Sequence, residues 1–255
     1  MDLATFVLTD EEGGLLAFEV AWESGDYLAV VTPDLPLADS SAYVLEVDVC
    51  DLSTDVTFST GIYGGDLDGE PSTLEHNTYV LDLEEVTFST PENFELLLGM
   101  FGVSPLLVGI AQADSETLTL HVAEGKKKVD GSYALLADGR SWTFDPADFT
   151  EQPYFHAQQS EVSLNYDGNE LPIRDFVIEG TFAPDGSSMG GLVVGGVADT
   201  RELSAAFFES EEGVCELMAD WGISCIPCED GVELCLEVLA EDAVALIEPD
   251  LDIIP

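Results

Sequence analysis

The sequence predicts a mainly β, β-rich α+β chain: an antiparallel β-barrel or β-sandwich with two or three short helices and a cysteine-stapled C-terminal segment. Three observations lead there. Most segments alternate apolar and polar residues with period two, which marks half-buried strands with one wet face. Turn residues separate these segments, at Ser24-Gly25-Asp26, Asp138-Gly139 and Pro184-Asp185-Gly186. Strands also outnumber helices too heavily for a βαβ alternation.

The strands follow in order. Leu16, Phe18, Val20 and Trp22 share one face, with Glu19 on the other. Tyr43, Leu45, Val47 and Val49 alternate with Glu46 and Asp48, and Leu118, Leu120 and Val122 with Thr117, Thr119 and His121. Val162, Leu164 and Tyr166 lead into the turn Asp167-Gly168, and Phe176, Ile178 and Phe182 alternate with Asp175, Glu179 and Thr181.

Two helices interrupt this pattern. One is expected near 91–101, with Thr90 as N-cap, Pro91 at the first helical position and Phe94, Leu97, Leu98 and Phe101 on one face, before Gly102 and Pro105 end it. The other opens at Asp199 with Glu202 placed for a capping box and Leu203, Ala206 and Phe207 on one side. A third short turn of helix is read at Glu216 to Trp221. A small repeat, Tyr43-Val44-Leu45 and Val56-Thr57-Phe58-Ser59-Thr60 echoed by Tyr79-Val80-Leu81 and Val86-Thr87-Phe88-Ser89-Thr90, does not recur and reads as similar strands. The Gly64 to Pro71 stretch is the best linker, giving an N-terminal β region over 1–73, a main body over 74–212 and a cysteine-rich segment with a last strand over 213–255.

Charge bounds the function. Fifty-two Asp and Glu stand against six Lys and Arg, a formal net charge of -46 over 255 residues. Such a field repels phosphate backbones and anionic membrane surfaces, which argues against a nucleic-acid partner. No apolar run is long enough for a transmembrane segment. With 46% apolar residues, including thirteen Phe, the chain has the material for a core that disordered acidic tails lack.

Cys215, Cys225, Cys228 and Cys235 cluster as C-x9-C-x2-C-x6-C, while Cys50 stands apart as an unpaired thiol. Clustered cysteines in an oxidising compartment staple a loop-rich segment, and four allow three pairings. The rival is zinc, because Cys225-Ile226-Pro227-Cys228 has the spacing of a metal knuckle. Disulfides are the favoured reading, since no second close pair accompanies the knuckle.

Motifs for chemistry are sparse. Gly186-Ser187-Ser188-Met189-Gly190 fits the nucleophile elbow, but a strand-prone segment follows it and no His lies beyond His156. His76, His121 and His156 have no common metal spacing. Calcium is the most credible ion, at Asp66, Asp68 and Glu70, with Asn165-Tyr166-Asp167-Gly168-Asn169-Glu170 as a second acidic turn; neither completes an EF-hand, and ordinary turn chemistry explains both. Arg140, Arg174 and Arg201 are expected to hold carboxylates, and Lys126-Lys127-Lys128 reads as a solvated loop.

From Tyr79 onward the chain resembles a group of uncharacterised acidic bacterial lipoproteins. The resemblance rests on Thr78-Tyr79-Val80-Leu81-Asp82-Leu83, Phe94 to Gly99, Leu106-Leu107-Val108-Gly109, Asp148-Phe149, Pro153-Tyr154-Phe155, Gly180 to Gly186, Asp199-Thr200-Arg201, and Cys225 to Gly231 leading to Cys235-Leu236. It covers about two thirds of the chain, and the cysteine stretch is its most specific part. It implies export, a lipid-anchored precursor and disulfide bonding, and no activity. The acidic start, Met1-Asp2-Leu3, shows neither a signal peptide's basic region nor an acylated Cys, so an extracytoplasmic chain is expected to have lost its signal or anchor.

These readings converge on a non-enzymatic, exported or envelope-associated binding module whose small ligand is apolar or cationic. The alternatives are a self-assembling surface protein bridged by calcium and, further off, a serine hydrolase using Ser188. One consequence needs no site. Added salt screens the repulsion among the acids, so the melting temperature should climb with ionic strength in thermal denaturation, and a melting point indifferent to salt would contradict this.

Overall fold

The computed structural model describes residues 4–23, 28–35, 37–38, 40–49, 52–92, 94–95, 98, 104–166, 169–208 and 210–254. Cys50 and the turns at Ser24-Gly25-Asp26 and Asp167-Gly168 lie outside them. The chain divides into two compact units, Met1–Gly65 and Asp66–Pro255, at the linker stretch read from the sequence.

The first unit contains strands β1 (Ala4–Asp10), β2 (Leu15–Leu16), β3 (Phe18–Glu23), β4 (Leu28–Pro33), β5 (Ala42–Val49) and β6 (Leu52–Ser59). Four form a sheet in the order β2-β1-β5-β6, and β3 and β4 form a separate hairpin. Cross-strand register aligns Phe6 with Val47 and Leu8 with Leu45, while Leu45 faces Val56 and Tyr43 faces Phe58. Because side chains alternate, this gives one apolar and one polar face. Trp22 of the hairpin meets Phe6 edge-on at 6.1 Å, and Tyr43 stacks on Phe58 at 5.6 Å. Among the described residues only Leu8 and Tyr43 of this unit are buried hydrophobics, a thin core for its length.

The second unit is a curled antiparallel half-barrel. Its strands are β7 (Thr78–Leu81), β8 (Phe88–Thr90), β9 (Leu106–Ala113), β10 (Thr117–Lys127), β11 (Tyr133–Leu135), β12 (Ser141–Thr143), β13 (Ala147–Asp148), β14 (Tyr154–Tyr166), β15 (Asn169–Phe182), β16 (Ser188–Asp199) and β17 (Cys235–Ile247). The order is β11-β10-β9-β7-β17-β16-β15-β14, with β12 and β13 also on β10 and β8 on β17. The C-terminal segment therefore supplies β17, an interior strand of the main sheet. Leu118, Leu120 and Val122 point into the core as their alternation predicts. Phe182 gathers Tyr79, Phe149 and Phe155 at ring distances of 5.7, 6.0 and 5.2 Å. On the opposite face Val80, Leu107, Ala123 and Ile253 form a second apolar cluster, so the C-terminal tail covers the sheet there. Gly109 allows that close approach, since a Cβ on it would stand 2.8 Å from Ile253.

The helices depart from expectation in detail. Thr90 ends β8 rather than capping a helix, because Phe88 and Thr90 pair with Ala240 and Leu239 of β17. Phe94, Glu95 and Leu98 are helical, with Phe94 and Leu98 buried; the rest of the expected 91–101 face, Leu97 and Phe101 included, lies outside the described residues. Helix α1 spans Arg201–Phe207 and α2 Gly213–Asp220. The expected capping box does not form: Thr200 is the N-cap and makes no side-chain cap bond, while the Asp199 carboxylate accepts the Arg201 N–H at 3.1 Å. Glu202 turns away instead and accepts the Glu170 N–H at 3.3 Å. Helix α1 buries Leu203 and Ser204 and leaves Phe207 exposed. The Ser204 hydroxyl earns its place by accepting the Val214 N–H at the start of α2.

The two ends of the large sheet meet through one side chain. Glu124 continues the inward row Leu118, Leu120, Val122 and is only 1% exposed. Its Oε2 accepts the Arg140 N–H at 2.7 Å and its Oε1 accepts the Asn165 N–H of β14 at 2.5 Å. Arg140 in turn grips Glu170, which also accepts from Ser163. A carboxylate receiving two backbone donors out of water makes strong, charge-assisted bonds. In Glu124→Gln the amide NH2 faces a backbone N–H and leaves it without an acceptor. We expect a loss of about 1–3 kcal/mol, read as a lower urea midpoint; an unchanged midpoint would show that the carboxylate does not hold the seam.

Candidate functional site

An opening of about 720 Å³ lies where β17 changes partners. Leu239 and Ala240 pair with β8, whereas Leu246 and Ile247 pair with β7. Between them Glu241–Ala245 has no ladder neighbour on that side among the described residues. The connection from β7 to β8 lines the gap with Asp82, Glu85, Val86 and Thr87.

A bulge in β17 aims two acids into this opening. Leu192 pairs with Ala243 and Val194 with Ala240, so Glu241 and Asp242 together oppose one residue of β16. Asp242 takes a left-handed backbone, φ 55°, which Asp tolerates better than most side chains. Bulges re-aim side chains and cluster beside functional sites. Val80, Val86, Ala243 and Leu246 supply an apolar wall.

Asp82, Glu85 and Tyr133 of this lining already hold an ammonium. Lys127 Nζ lies 3.3 Å from both Asp82 Oδ2 and Glu85 Oε1 and 5.4 Å from the Tyr133 ring centroid. The Tyr133 hydroxyl donates to Asp82 at 2.9 Å. Tyr133, then Asp82 and Glu85, push the Lys127 pKa upward, fixing it as a cation. Burial, followed by the Asp82 contacts, raises the Tyr133 phenol, although Lys127 opposes that shift. Lys127 is thus a bound residue and not the solvated loop read from the sequence. Four carboxylates (Asp82, Glu85, Glu241 and Asp242) line the opening; Asp82 and Glu85 hold Lys127, and among the described residues no cation pairs with Glu241 or Asp242. An aromatic face and carboxylates around a positive charge are the elements of organic-cation recognition.

Other places offer less. A pocket of about 430 Å³ contains His156, Glu179, Asp148 and Glu151. There His156 Nδ1 and Glu179 Oε2 are 2.5 Å apart as a cross-strand pair. The enclosed apolar space among Phe88, Phe94, Leu164 and Phe176 offers only about 30 Å³, roughly the volume of one water.

The motifs from the sequence scatter. Ser188 is buried and begins β16, so a hairpin turn through Gly186 (φ 70°) replaces the strand-to-helix elbow. His121 is buried against Thr143 at 2.9 Å, with burial lowering its pKa, and His76 lies 3.0 Å from Asp252. Asp66, Asp68 and Glu70 do not bring their oxygens within 4.8 Å of one another. Arg140 and Arg201 hold carboxylates as expected; Arg174 stands opposite Glu161 in register but has no ion pair among the described residues. Glu124, Lys127, Glu241 and Asp242 were not singled out by motif, although Glu124 was visible as an acid continuing an apolar row.

The cysteines form two disulfides, Cys215–Cys225 and Cys228–Cys235. Asp199, Cys228 and Cys235 come together, but both sulfurs are spent in the S–S bond and Asp199 is engaged by Arg201. The disulfides point to an oxidising, extracytoplasmic compartment. No described helix is long and apolar enough to cross a membrane. No protein-family model, curated protein or solved structure matches the chain.

Arg201 ties this segment to the sheet, with Asp199 Oδ2 at 2.5 Å and Asp230 Oδ2 at 2.6 Å. Burial alone would raise the Asp199 carboxyl, but the Arg201 bonds outweigh it and its pKa lies lowered. Asp230 is lowered first by the Val232 N–H and then by Arg201. A depressed carboxylate stabilises the fold above its unfolded pKa, and that contribution fades as pH falls through the folded value. Arg201→Gln should therefore melt below the parent at neutral pH, with the gap closing below about pH 3. A gap equally wide at both pH values would remove the ion pairs as its cause.

Proposed function

We propose that this chain is an exported, non-enzymatic binding module that takes an organic cation in the acidic opening between β7, β8 and β17. The observation that carries this reading is the Lys127 ammonium held by Asp82 and Glu85 over Tyr133, in an opening whose lining adds two further acids, Glu241 and Asp242. The apolar wall favours an amine with a hydrocarbon body over a bare metal ion. Of the two ligand classes expected from the sequence, the cationic one gains support, since the enclosed apolar space is about 30 Å³. Export is supported by the two disulfides and by the resemblance to lipoproteins in the Cys225 to Cys235 stretch. A lipid anchor in the precursor belongs to the same proposal.

Calorimetry with a diamine such as cadaverine, with calcium and with a neutral diol of equal length tests it. The diamine should bind with a dissociation constant below about 1 mM and lose at least about tenfold in Glu241→Gln/Asp242→Asn. Asn preserves the left-handed backbone at 242. Diamine binding that survives the double variant, or that calcium matches, would reduce the effect to the diffuse field of a polyanion.

A further inference from the structure

The outer strand of the first unit carries a different message. All eight residues of β6 are exposed, and among the described residues β6 is an edge, paired only with β5. Proteins blunt such edges with Lys, Pro, bulges or brevity. Here there is no Lys or Pro, and the β5–β6 register runs unbroken from Ala42↔Ser59 to Val49↔Leu52. The opposite edge, β2, is two residues long and so is protected. On β6, Leu52, Val56 and Phe58 continue the face that buries Leu8 and Tyr43.

We propose that β6 is a self-association edge: two copies of the chain pair their β6 strands antiparallel about a two-fold axis at Thr57. Charge selects the occupant. No charged residue occurs between Asp55 and Asp66, whereas the whole chain carries 52 acids. A second copy, equally anionic, can approach closely only where acids are missing. A basic partner would be drawn instead to the carboxylate-rich surface.

Parity and charge narrow the register, and the apolar cross-strand pairs select within it. Keeping both apolar rows on one face restricts the two-fold centre to a residue of β6 itself. Centred on Asp55, the pairing sets two carboxylates opposite each other, which is destabilising. Centred on Thr57, it sets Val56 against Phe58 of the second copy, twice, and Asp55 against Ser59. Aromatic and β-branched residues are favourable cross-strand neighbours. The contact also extends the thin apolar face of this unit. Because it joins two polyanions through strands that carry one acid each, Asp55, it strengthens as salt rises, the reverse of amine binding at the acidic opening.

Sedimentation equilibrium of the full chain carrying Cys50→Ser, at about 0.1 M and about 2 M salt, tests the pairing. The dimer should tighten at least about tenfold at the higher salt and weaken at least about tenfold in Val56→Lys. Circular dichroism and diamine binding of that variant should be unchanged. In the same Cys50→Ser background, Thr57→Cys should oxidise to a covalent dimer faster than Ser53→Cys, because Thr57 faces itself across the axis. A monomer at both salts, including one whose β6 amides are protected by another strand of its own chain, would overturn the proposal. So would a dimer indifferent to Val56→Lys, or equal cross-linking rates at 53 and 57.

Discussion

The carboxylate of Glu124 lies on the inner face of β10, out of water, and accepts backbone donors from two places that no strand pairing unites. One donor is Arg140, just before β12; the other is Asn165 on β14, the far edge of the eight-strand path. A long edge strand such as β14 presents a row of unpaired N–H groups, and a curled sheet must protect them or close. Glu124 does part of this with a side chain. It draws β14 toward β10, and the rings around Phe182 are enclosed by the sheet thus curled. The surrounding polar groups, Arg140, Glu170 and Ser163, give the seam further charge-assisted bonds.

Much of this architecture was legible in the residues, because a two-residue period reports directly which side chains face the core. Leu118, Leu120 and Val122 are an instance, and Phe176, Ile178 and Phe182 another. The same logic extended one step would have flagged Glu124. What was not legible depends on contacts between distant segments. Thr90 and Pro91 read locally as a helix start, yet β17 captures Phe88–Thr90 as a strand. The cysteine pairing stayed open because spacing alone does not choose a partner; the Ile226↔Cys235 bridge brings Cys228 next to Cys235. The acidic opening joins Asp82 and Glu85 to Glu241 and Asp242 through a register break, and no spacing rule announces a bulge.

Scarce cations give the charge distribution its meaning. Arg140, Arg201 and Lys127 each hold carboxylates, so the few bases act as internal ties. The first unit inverts this picture, with an edge strand that carries a single acid, Asp55, in an anionic chain. Under the two proposals solvent salt acts oppositely on the two surfaces, weakening the proposed cation capture and easing the proposed approach of like-charged copies.

Amide hydrogen exchange on the native protein at neutral pH tests the seam most directly. If Glu124 joins the sheet's two ends, the Arg140 and Asn165 amides exchange as slowly as those of interior strand β16. Exchange of both at the rate of an open edge, while β16 remains protected, would contradict the account.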